Sequence, residues 1–360
     1  MWARALFAVR RFLLDLGPNL GSWRLSVVLM VLGAVYYLLL AVWATASPAE
    51  VVGNIAGLFP FWIVYALLLV NTTVCFWRRL PMLRRDLSRR GTAQLGAFLF
   101  HGAFLLVGSG FLLTLLARQE ARAWVVLGEE FEAQPEQYLA RSPPRRLVAG
   151  VPPLRFRVER IEPRFWADQL LFTELVADLR LADGTLARTR INRPLWLGPA
   201  TFLRLSGFGW APRFELVDAR GLRIDSAVVK LNVFPPGIRD YFVLPRFPHR
   251  VKVRFYPDYD PQPSGPATRT MNLVDPAFAV EVSRGRVDLG GGIVRMGESL
   301  EFEGLSLSFP EILSWGEFSI VWDPGAPVLF AGYLFGLLGL LLKLGSSLRG
   351  LSPSAEEGRG

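Results

Sequence analysis

The sequence predicts an integral membrane α+β protein, with about four transmembrane helices and one large β-rich domain outside the cytoplasm. The chain has 360 residues, 51% of them hydrophobic, and a mean hydropathy of +0.32. The apolar residues are concentrated in a few long runs, as a membrane protein requires. Between the third and the fourth run, short β-rich segments alternate with turn signals, which is typical of an antiparallel sandwich or barrel.

Four apolar runs approach the roughly 20 residues that a helix needs to cross a bilayer. Three lie near the N-terminus and one near the C-terminus, at residues 25–45, 58–76, 95–116 and 328–345. The first run and the Ala44-Thr45-Ala46 sequence also resemble a cleaved signal peptide. The run is long for a signal and 24 residues precede it, so we predict a retained helix.

The arginines beside the runs predict the orientation of the chain. Four arginines precede the first run, no Lys or Arg separates the first two runs, and six arginines lie in the loop 77–94. The positive-inside rule therefore places the N-terminal segment 1–24, the Arg-rich loop 77–94 and the tail 346–360 in the cytoplasm. The domain 118–327 is then extracytoplasmic, and we expect a multi-pass protein of the inner (cytoplasmic) membrane.

The net charge of +9 does not belong to the large domain. Residues 118–323 hold 27 of the 40 basic and 26 of the 31 acidic side chains, so this part is nearly neutral. A nucleic-acid-binding protein would carry its basic residues clustered on the folded domain. We therefore expect membrane lipid rather than nucleic acid as the partner of the flanking arginines.

Within the large domain, three segments are interpreted from local composition. Residues 118–150 are expected to form a linking helix or an irregular arm. The proline-rich stretch 257–266 is expected to be an exposed loop, and Gly290–Gly292 a hairpin turn.

The sequence lacks the motifs of the common enzyme classes. It has no G-x-S-x-G, H-E-x-x-H, Walker loop or dinucleotide fingerprint. Cys75 is the single cysteine, which excludes an intrachain disulfide and any Cys-x-x-Cys-His haem-attachment motif. We expect no enzymatic turnover from this chain alone.

His101 is an ionisable residue inside the third apolar run. Such residues are costly in a membrane and usually face a partner or a cavity. A neutral imidazole in an apolar site is a good ligand for haem iron, although a hydrogen bond to a neighbouring helix is the simpler explanation of the residue. His249, expected on an extracytoplasmic loop, is interpreted as a surface or structural residue. A site with two histidine ligands therefore needs a second chain.

Two glycines of the fourth run, Gly332 and Gly336, form a G-x-x-x-G pattern. Small residues at this spacing allow two membrane helices to approach closely. The pattern fits packing within this chain and an interface with a partner equally well.

Four short motifs, in a consistent order, give the chain a family resemblance. It resembles the ResB-type (CcsB-type) cytochrome c biogenesis proteins of system II from about Gly17 to Leu344. The matching segments are Leu69–Asn71 with Cys75–Arg79, His101–Gly102 with Leu105, Leu106 and Gly108, Ile191–Leu195 with Gly198, and Asp323–Gly325 with Pro327 and Gly332.

The resemblance implies a subunit of a haem-handling complex. Such a subunit pairs with a ResC/CcsA-type membrane protein, and together they carry haem b across the membrane and present it to apocytochrome c. His101 corresponds to the transmembrane histidine that ligates haem iron in this family. The alternative is a divergent ResB-like scaffold or assembly subunit that does not bind haem.

Overall fold

The computed structural model describes residues 20–46, 59–141, 153–166, 172–232, 237–244, 246–262 and 265–350. The chain forms two compact units, Met1–Leu115 with Pro324–Gly360, and Leu116–Asp323. The first unit contains the helices and the second the strands. Most of the predicted N-terminal segment 1–24, and the tail beyond residue 350, lie outside the described residues.

The described residues of the first unit form four helices. Helix α1 spans Trp23–Ala46 and helix α4 spans Gly325–Gly350. Between them, one helical run covers Phe59–Ala117 and breaks at Gly91, which has a φ of 48° and a ψ of −120°. We call the part before the break α2 (59–90) and the part after it α3 (91–117). Gly91 can adopt this backbone conformation because it has no Cβ.

The helices have the length and the surface of membrane helices. Arg24–Val42 of α1, Gly91–Ala117 of α3 and Gly325–Ser347 of α4 are long and apolar enough to cross a bilayer, and α2 contributes the shorter apolar stretch Ile63–Arg78. Large apolar side chains such as that of Leu334 are more than half exposed. Contiguous apolar surface of this extent is unfavourable in water and favourable in lipid. The chain is therefore a membrane protein.

The segment 77–94 is helical, so the expected loop is wrong. Helix α2 continues through it to Gly91, although Pro81 lies inside the helix. Arginine, leucine and methionine are strong helix formers. The end of an apolar run marks the point where a helix leaves the hydrocarbon layer of the membrane, and the helix itself can continue.

The part of the second unit that the structure describes forms four antiparallel sheets, which confirms the predicted combination of membrane helices with a large β-rich domain. A seven-stranded sheet has the order β3-β1-β17-β8-β7, with β16 paired to β17 and β9 to β8. The others have the orders β2-β4-β5-β6, β10-β11-β14-β15 and β12-β13. The strands are β1 Gln119–Val126, β2 Glu130–Glu132, β3 Ala140–Arg141, β4 Arg155–Phe165, β5 Phe172–Leu181, β6 Leu186–Arg190, β7 Leu195–Trp196, β8 Thr201–Asp218, β9 Arg223–Val228, β10 Asp240–Val243, β11 His249–Tyr256, β12 Tyr259–Gln262, β13 Gly265–Thr268, β14 Ala277–Arg284, β15 Val287–Arg295, β16 Ser299–Phe302 and β17 Leu305–Trp322.

The three larger sheets share one hydrophobic core. Phe156 of β4 packs edge-to-face against Phe318 of β17, with ring centroids 5.3 Å apart. Phe278 of β14 stacks on Phe309 of β17 at 4.1 Å. The long strand β17 therefore joins the sheets, and its last residues pair with the first strand of the unit, with Gln119 opposite Trp322.

Three local expectations for this unit are wrong. Within 118–150, the described residues form β1, β2, a short 3₁₀ turn and β3 instead of a helix or an irregular arm. The proline-rich stretch 257–266 contains the hairpin β12–β13, because a two-stranded ribbon tolerates prolines at its edges. Gly290–Gly292 lie inside β15, where a Cβ on Gly291 would lie 2.5 Å from the carbonyl oxygen of Val280. The close approach of the strands explains the glycine.

Candidate functional site

His101 lies on α3, ten residues after the break at Gly91. Its Nδ1 is 2.6 Å from the backbone carbonyl oxygen of Ala97, one turn earlier. A carbonyl oxygen only accepts hydrogen bonds, so Nδ1 must carry the proton, and Nε2 of the neutral ring keeps its lone pair. Histidines that ligate metals usually donate their other ring N–H to such an acceptor, which fixes the tautomer. In this tautomer, Nε2 is the ring nitrogen of His101 that could bind a metal ion.

The imidazole lines a groove among the helices with a volume of about 1110 Å³. This volume slightly exceeds the ~300–1,000 Å³ range of small-molecule sites. Most of the lining is aliphatic or aromatic, and the polar groups are few. The lining residues are Ser26, Val27, Met30, Tyr65, Leu68, Leu69, Thr72, Cys75, Phe76, Leu80, Gln94, Ala97, Phe98, His101, Phe104, Val107, Gly108, Phe111, Leu329 and Tyr333.

Contacts between α2 and α3 build one wall of the groove. The hydroxyl of Tyr65 donates to the carbonyl oxygen of Gly108 at 2.6 Å, and its ring packs edge-to-face on Phe111. Phe76 stacks on Phe98 with centroids 4.8 Å apart. These contacts hold α2 against α3 on both sides of His101 along the chain. The groove is therefore lined by side chains that are already positioned by helix packing.

Asn71 joins α1 to α2 beside the groove. It is fully buried, accepts a hydrogen bond from the N–H of Gly21 at 2.6 Å, and donates to the carbonyl oxygen of Ser22 and the hydroxyl of Ser26. A buried amide in a membrane helix is stable only with such partners. In the sequence, Asn71 belongs to a family motif, and an amide inside an apolar run is by itself a signal of helix contact.

Glycines allow α3 and α4 to pack closely. A Cβ on Gly332 would lie 2.9 Å from the backbone nitrogen of Val107, and one on Gly336 would lie 3.2 Å from the Cβ of Ala103. Both glycines of the G-x-x-x-G pattern therefore serve packing within this chain. Leu329 and Tyr333 of the same helix line the groove.

The second histidine belongs to the other unit and not to the groove. His249 is the first residue of β11 and only 4% exposed, so the expected loop position is wrong. Its Nε2 lies 2.9 Å from Oε2 of Glu303, and the other carboxylate oxygen of Glu303 binds Arg284 at 2.9 Å. These contacts identify His249 as a structural residue, in agreement with its sequence interpretation.

The donor set of the groove is small. Among the described residues, no group of three or more His, Cys, Asp or Glu side chains is close enough to hold a metal ion. Cys75 lines the groove as a half-buried free thiol. A metal centre here would thus rest on His101 and on ligands from elsewhere.

Two curated proteins are similar to this chain along much of its length, whereas no protein-family profile matches it. Both are described as "Cytochrome c biogenesis protein CcsB", one from Synechococcus elongatus and one from a Synechococcus species. Each is 26% identical over 280 residues, which cover 73% of this chain and 55% of the relative. The chain thus spans about half the length of the curated relatives it matches. Together with the order of helices and β-rich domain, this similarity identifies the chain as a distant relative of the CcsB-type cytochrome c biogenesis proteins.

Proposed function

We propose that the chain acts in cytochrome c biogenesis as a ResB-like membrane subunit that holds haem b as cargo through His101. The observation that carries this proposal is the hydrogen bond from His101 Nδ1 to the Ala97 carbonyl, which leaves Nε2 available in an apolar groove. The two Synechococcus relatives support the assignment to cytochrome c biogenesis.

The residues of the groove fit the chemistry of haem. Haem iron accepts a neutral imidazole nitrogen as an axial ligand, and its macrocycle is a flat apolar surface. Phe98, Phe104 and Phe111 line the groove with His101, and aromatic rings offer large apolar faces for such a ligand. Ligation and positioning, rather than turnover, would then be the contribution of this subunit.

One histidine supplies at most one axial ligand. We therefore propose that the second ligand comes from a ResC/CcsA-type membrane partner, and that the β-rich domain docks this partner or apocytochrome c. In this arrangement both chain termini are cytoplasmic, the β-rich domain is extracytoplasmic, and the protein resides in the inner membrane. The flanking arginines would then face the cytoplasmic lipid headgroups.

The test is the haem content of the full chain purified with its co-expressed partner, measured by the Soret absorbance per protein. We expect His101→Ala to lose most of the haem, and external imidazole to restore the band by replacing the missing ligand. His249→Gln is the matched control, because it alters the other of the two histidines and should retain the haem.

Two results would contradict the proposal. Equal haem content in His101→Ala and the wild type would remove His101 as a ligand. A partner complex that forms normally but contains no haem in the wild type would instead identify a scaffold that assembles the complex without binding haem.

A further inference from the structure

An uncharged hairpin lies at one edge of the seven-stranded sheet in the β-rich unit. It comprises residues 195–202, in which Trp196 pairs with Phe202, and we call it the β7–β8 hairpin. No charged residue lies between Arg193 and Arg204. By contrast, the turns β5–β6, β8–β9, β14–β15, β15–β16 and β16–β17 each contain an exposed charged residue, namely Asp183, Arg220, Arg286, Glu298 and Glu303. The β7–β8 hairpin therefore lacks the charges that these water-exposed turns of the same unit carry.

Apolar side chains of this hairpin are exposed. Trp196 is 45% exposed, and its ring packs against that of Phe202 with centroids 5.0 Å apart. Pro199 at the tip is exposed, and a Cβ on the neighbouring Gly198 would meet nothing within 4 Å. Single exposed apolar residues are normal on a protein surface, so the position of the hairpin in the β-rich unit must decide what it contacts.

Strand register places the hairpin at the end of the sheet where the chain enters and leaves the β-rich unit. Gln119 of β1 lies opposite Trp322 of β17, and Trp322 lies opposite Thr201, which belongs to the hairpin. Beyond this row, the N–H of Asp323 donates to the carbonyl oxygen of Ala200 at 2.7 Å. The tip of the hairpin is therefore hydrogen-bonded to the last residue of the β-rich unit.

Two strands of this row continue directly into membrane helices. Helix α3 ends at Ala117, two residues before Gln119, and α4 begins at Gly325, three residues after Trp322. One residue of extended chain spans at most about 3.6 Å, so neither connection is longer than about 11 Å. Helices α3 and α4 are long and apolar enough to cross a bilayer, and the headgroup layer on each side of the hydrocarbon is about 5–8 Å deep. The path of the chain therefore brings this end of the sheet, with the β7–β8 hairpin, close to the lipid headgroups.

A tight turn before β7 directs the chain into the hairpin. Asn192 has a φ of 62°, a left-handed conformation that Asn adopts more readily than most residues. The N–H of Arg193 donates to the carbonyl oxygen of Arg190 at 3.0 Å, and the N–H of Arg190 donates to the carbonyl oxygen of Arg193 at 3.3 Å. This turn lies within the segment Ile191–Leu195, which is one of the motifs of the family resemblance. The motif thus has a structural role, since it ends β6 and starts β7.

We propose that the β7–β8 hairpin inserts into the lipid headgroup layer of the leaflet on its own side of the membrane, with Trp196 as the main contact. An indole combines a large apolar ring with an N–H donor, and such rings favour the membrane–water interface. An uncharged hairpin enters this layer without the cost of desolvating a charge. The two connections to the helices leave from the neighbouring strands β1 and β17. Lipid contact through β7 adds a third point of attachment, which limits tilting of the β-rich unit on the membrane.

Spin labels on the full chain measure this contact. In a Cys75→Ser background, which removes the single native cysteine, Pro199→Cys carries the label at the tip of the hairpin. Leu222→Cys is the matched control, because Leu222 is an apolar residue, 68% exposed, just beyond the other end of the 18-residue strand β8. The measured quantity in phosphatidylcholine nanodiscs is the accessibility of the label to oxygen divided by its accessibility to a water-soluble nickel chelate. We expect this ratio to be at least about threefold higher for the Pro199 label, because apolar oxygen concentrates in lipid and the chelate stays in water.

Variants of Trp196 test the role of its ring. Trp196→Glu, with an unchanged circular dichroism spectrum, should bring the ratio at the Pro199 label to within about twofold of the Leu222 value, because a carboxylate is costly to desolvate. Trp196→Phe should retain most of the original ratio. The proposal is overturned if the Pro199 and Leu222 labels have equal ratios in the chain with Trp196 intact, a comparison that needs no variant of this residue. It is also overturned if the Pro199 label is protected from the chelate only when a membrane partner shares the nanodisc, since the hairpin would then contact protein and not lipid.

Discussion

A Cβ built on Gly339 of α4 would lie 2.6 Å from the carbonyl oxygen of Gly96 in α3. The two helices therefore touch through their backbones at this point. About two turns along the helix, Gly332 makes a similar approach to the backbone of Val107, and between them Gly336 lies against the Cβ of Ala103. Van der Waals contact between backbones is a main source of helix association in lipid, where no hydrophobic force drives helices together.

Gly339→Val should therefore separate α3 from α4. We expect a loss of about 1–3 kcal/mol from overpacking, seen as a lower temperature of thermal unfolding in detergent. The matched control is Gly345→Val in the same helix, since a Cβ at Gly345 would meet nothing within 4 Å. Equal unfolding temperatures for the two variants would contradict the assigned contact.

Asn71→Leu should weaken the contact between α1 and α2. It leaves the N–H of Gly21, the carbonyl of Ser22 and the hydroxyl of Ser26 without their partner, at a cost of about 1–2 kcal/mol in a membrane protein. Thr73→Val is the control, because the hydrogen bond described for the Thr73 hydroxyl goes to the carbonyl of Leu69 in its own helix. Proteolysis or cysteine labelling near Gly21 should detect the loosened contact only in Asn71→Leu.

Gly209→Ala should destabilise the β-rich unit through Trp315. A Cβ on Gly209 would collide with the indole ring of Trp315, whose Nε1 donates to the Leu231 carbonyl at 3.0 Å. We expect a loss of about 1–3 kcal/mol. We also expect a weaker near-ultraviolet circular dichroism signal from Trp315 and Trp124, whose rings stack with centroids 4.4 Å apart. At Gly198, a Cβ would meet nothing within 4 Å, so Gly198→Ala should preserve the spectrum.

Asp258 should make the stability of the β-rich unit depend on pH. The Arg269 guanidinium, which donates to the carboxylate at 2.7 Å, holds the pKa of Asp258 below its ordinary value, with help from the hydroxyl of Thr270. A lowered pKa in the folded state contributes stability above the unfolded pKa of about 3.9, and this contribution is lost as the pH falls through the lower folded value.

Asp258→Asn should accordingly lower the unfolding temperature at pH 7 by several degrees, since hydrogen bonds to a charged group contribute about 1.5–3 kcal/mol. The difference from the wild type should shrink as the pH drops below about 4. Asp260→Asn is the matched control, because the hydrogen bond described for its side chain comes from Gln262. A difference that stays constant down to pH 2 would show that the carboxylate charge is not the source of stability.

Much of the fold could be predicted from sequence because it depends on composition over long windows. The four apolar runs and the β-rich segment between them are such properties. The predicted end of α2 is too early, because hydropathy indicates which residues contact lipid. It does not show that the helix continues through the arginine-rich segment that follows. Gly290–Gly292 were misread as a turn because glycine serves both turns and close strand contacts, and only the pairing with β14 decides between them.

The candidate site, too, could be predicted only in part from the sequence. His101 is visible in the sequence because one imidazole in an apolar run is conspicuous. The hydrogen bond from Tyr65 to the Gly108 carbonyl depends on helix packing, which joins residues from distant parts of the chain. A spacing of seven residues between Gly96, Ala103 and Gly110 would have indicated the helix-packing stripe on α3.

The pairing of β1 with β17 has a consequence for the evolution of this protein. The first strand of the β-rich unit begins at Gln119 and its last strand ends at Trp322. These two residues are partners on adjacent strands. A module whose ends are neighbours can be inserted into, or exchanged within, a host chain without changing the path of the host. The helix pair α3–α4, held together by its own glycines, can therefore retain its packing while the module between the two helices diverges, shortens or is replaced.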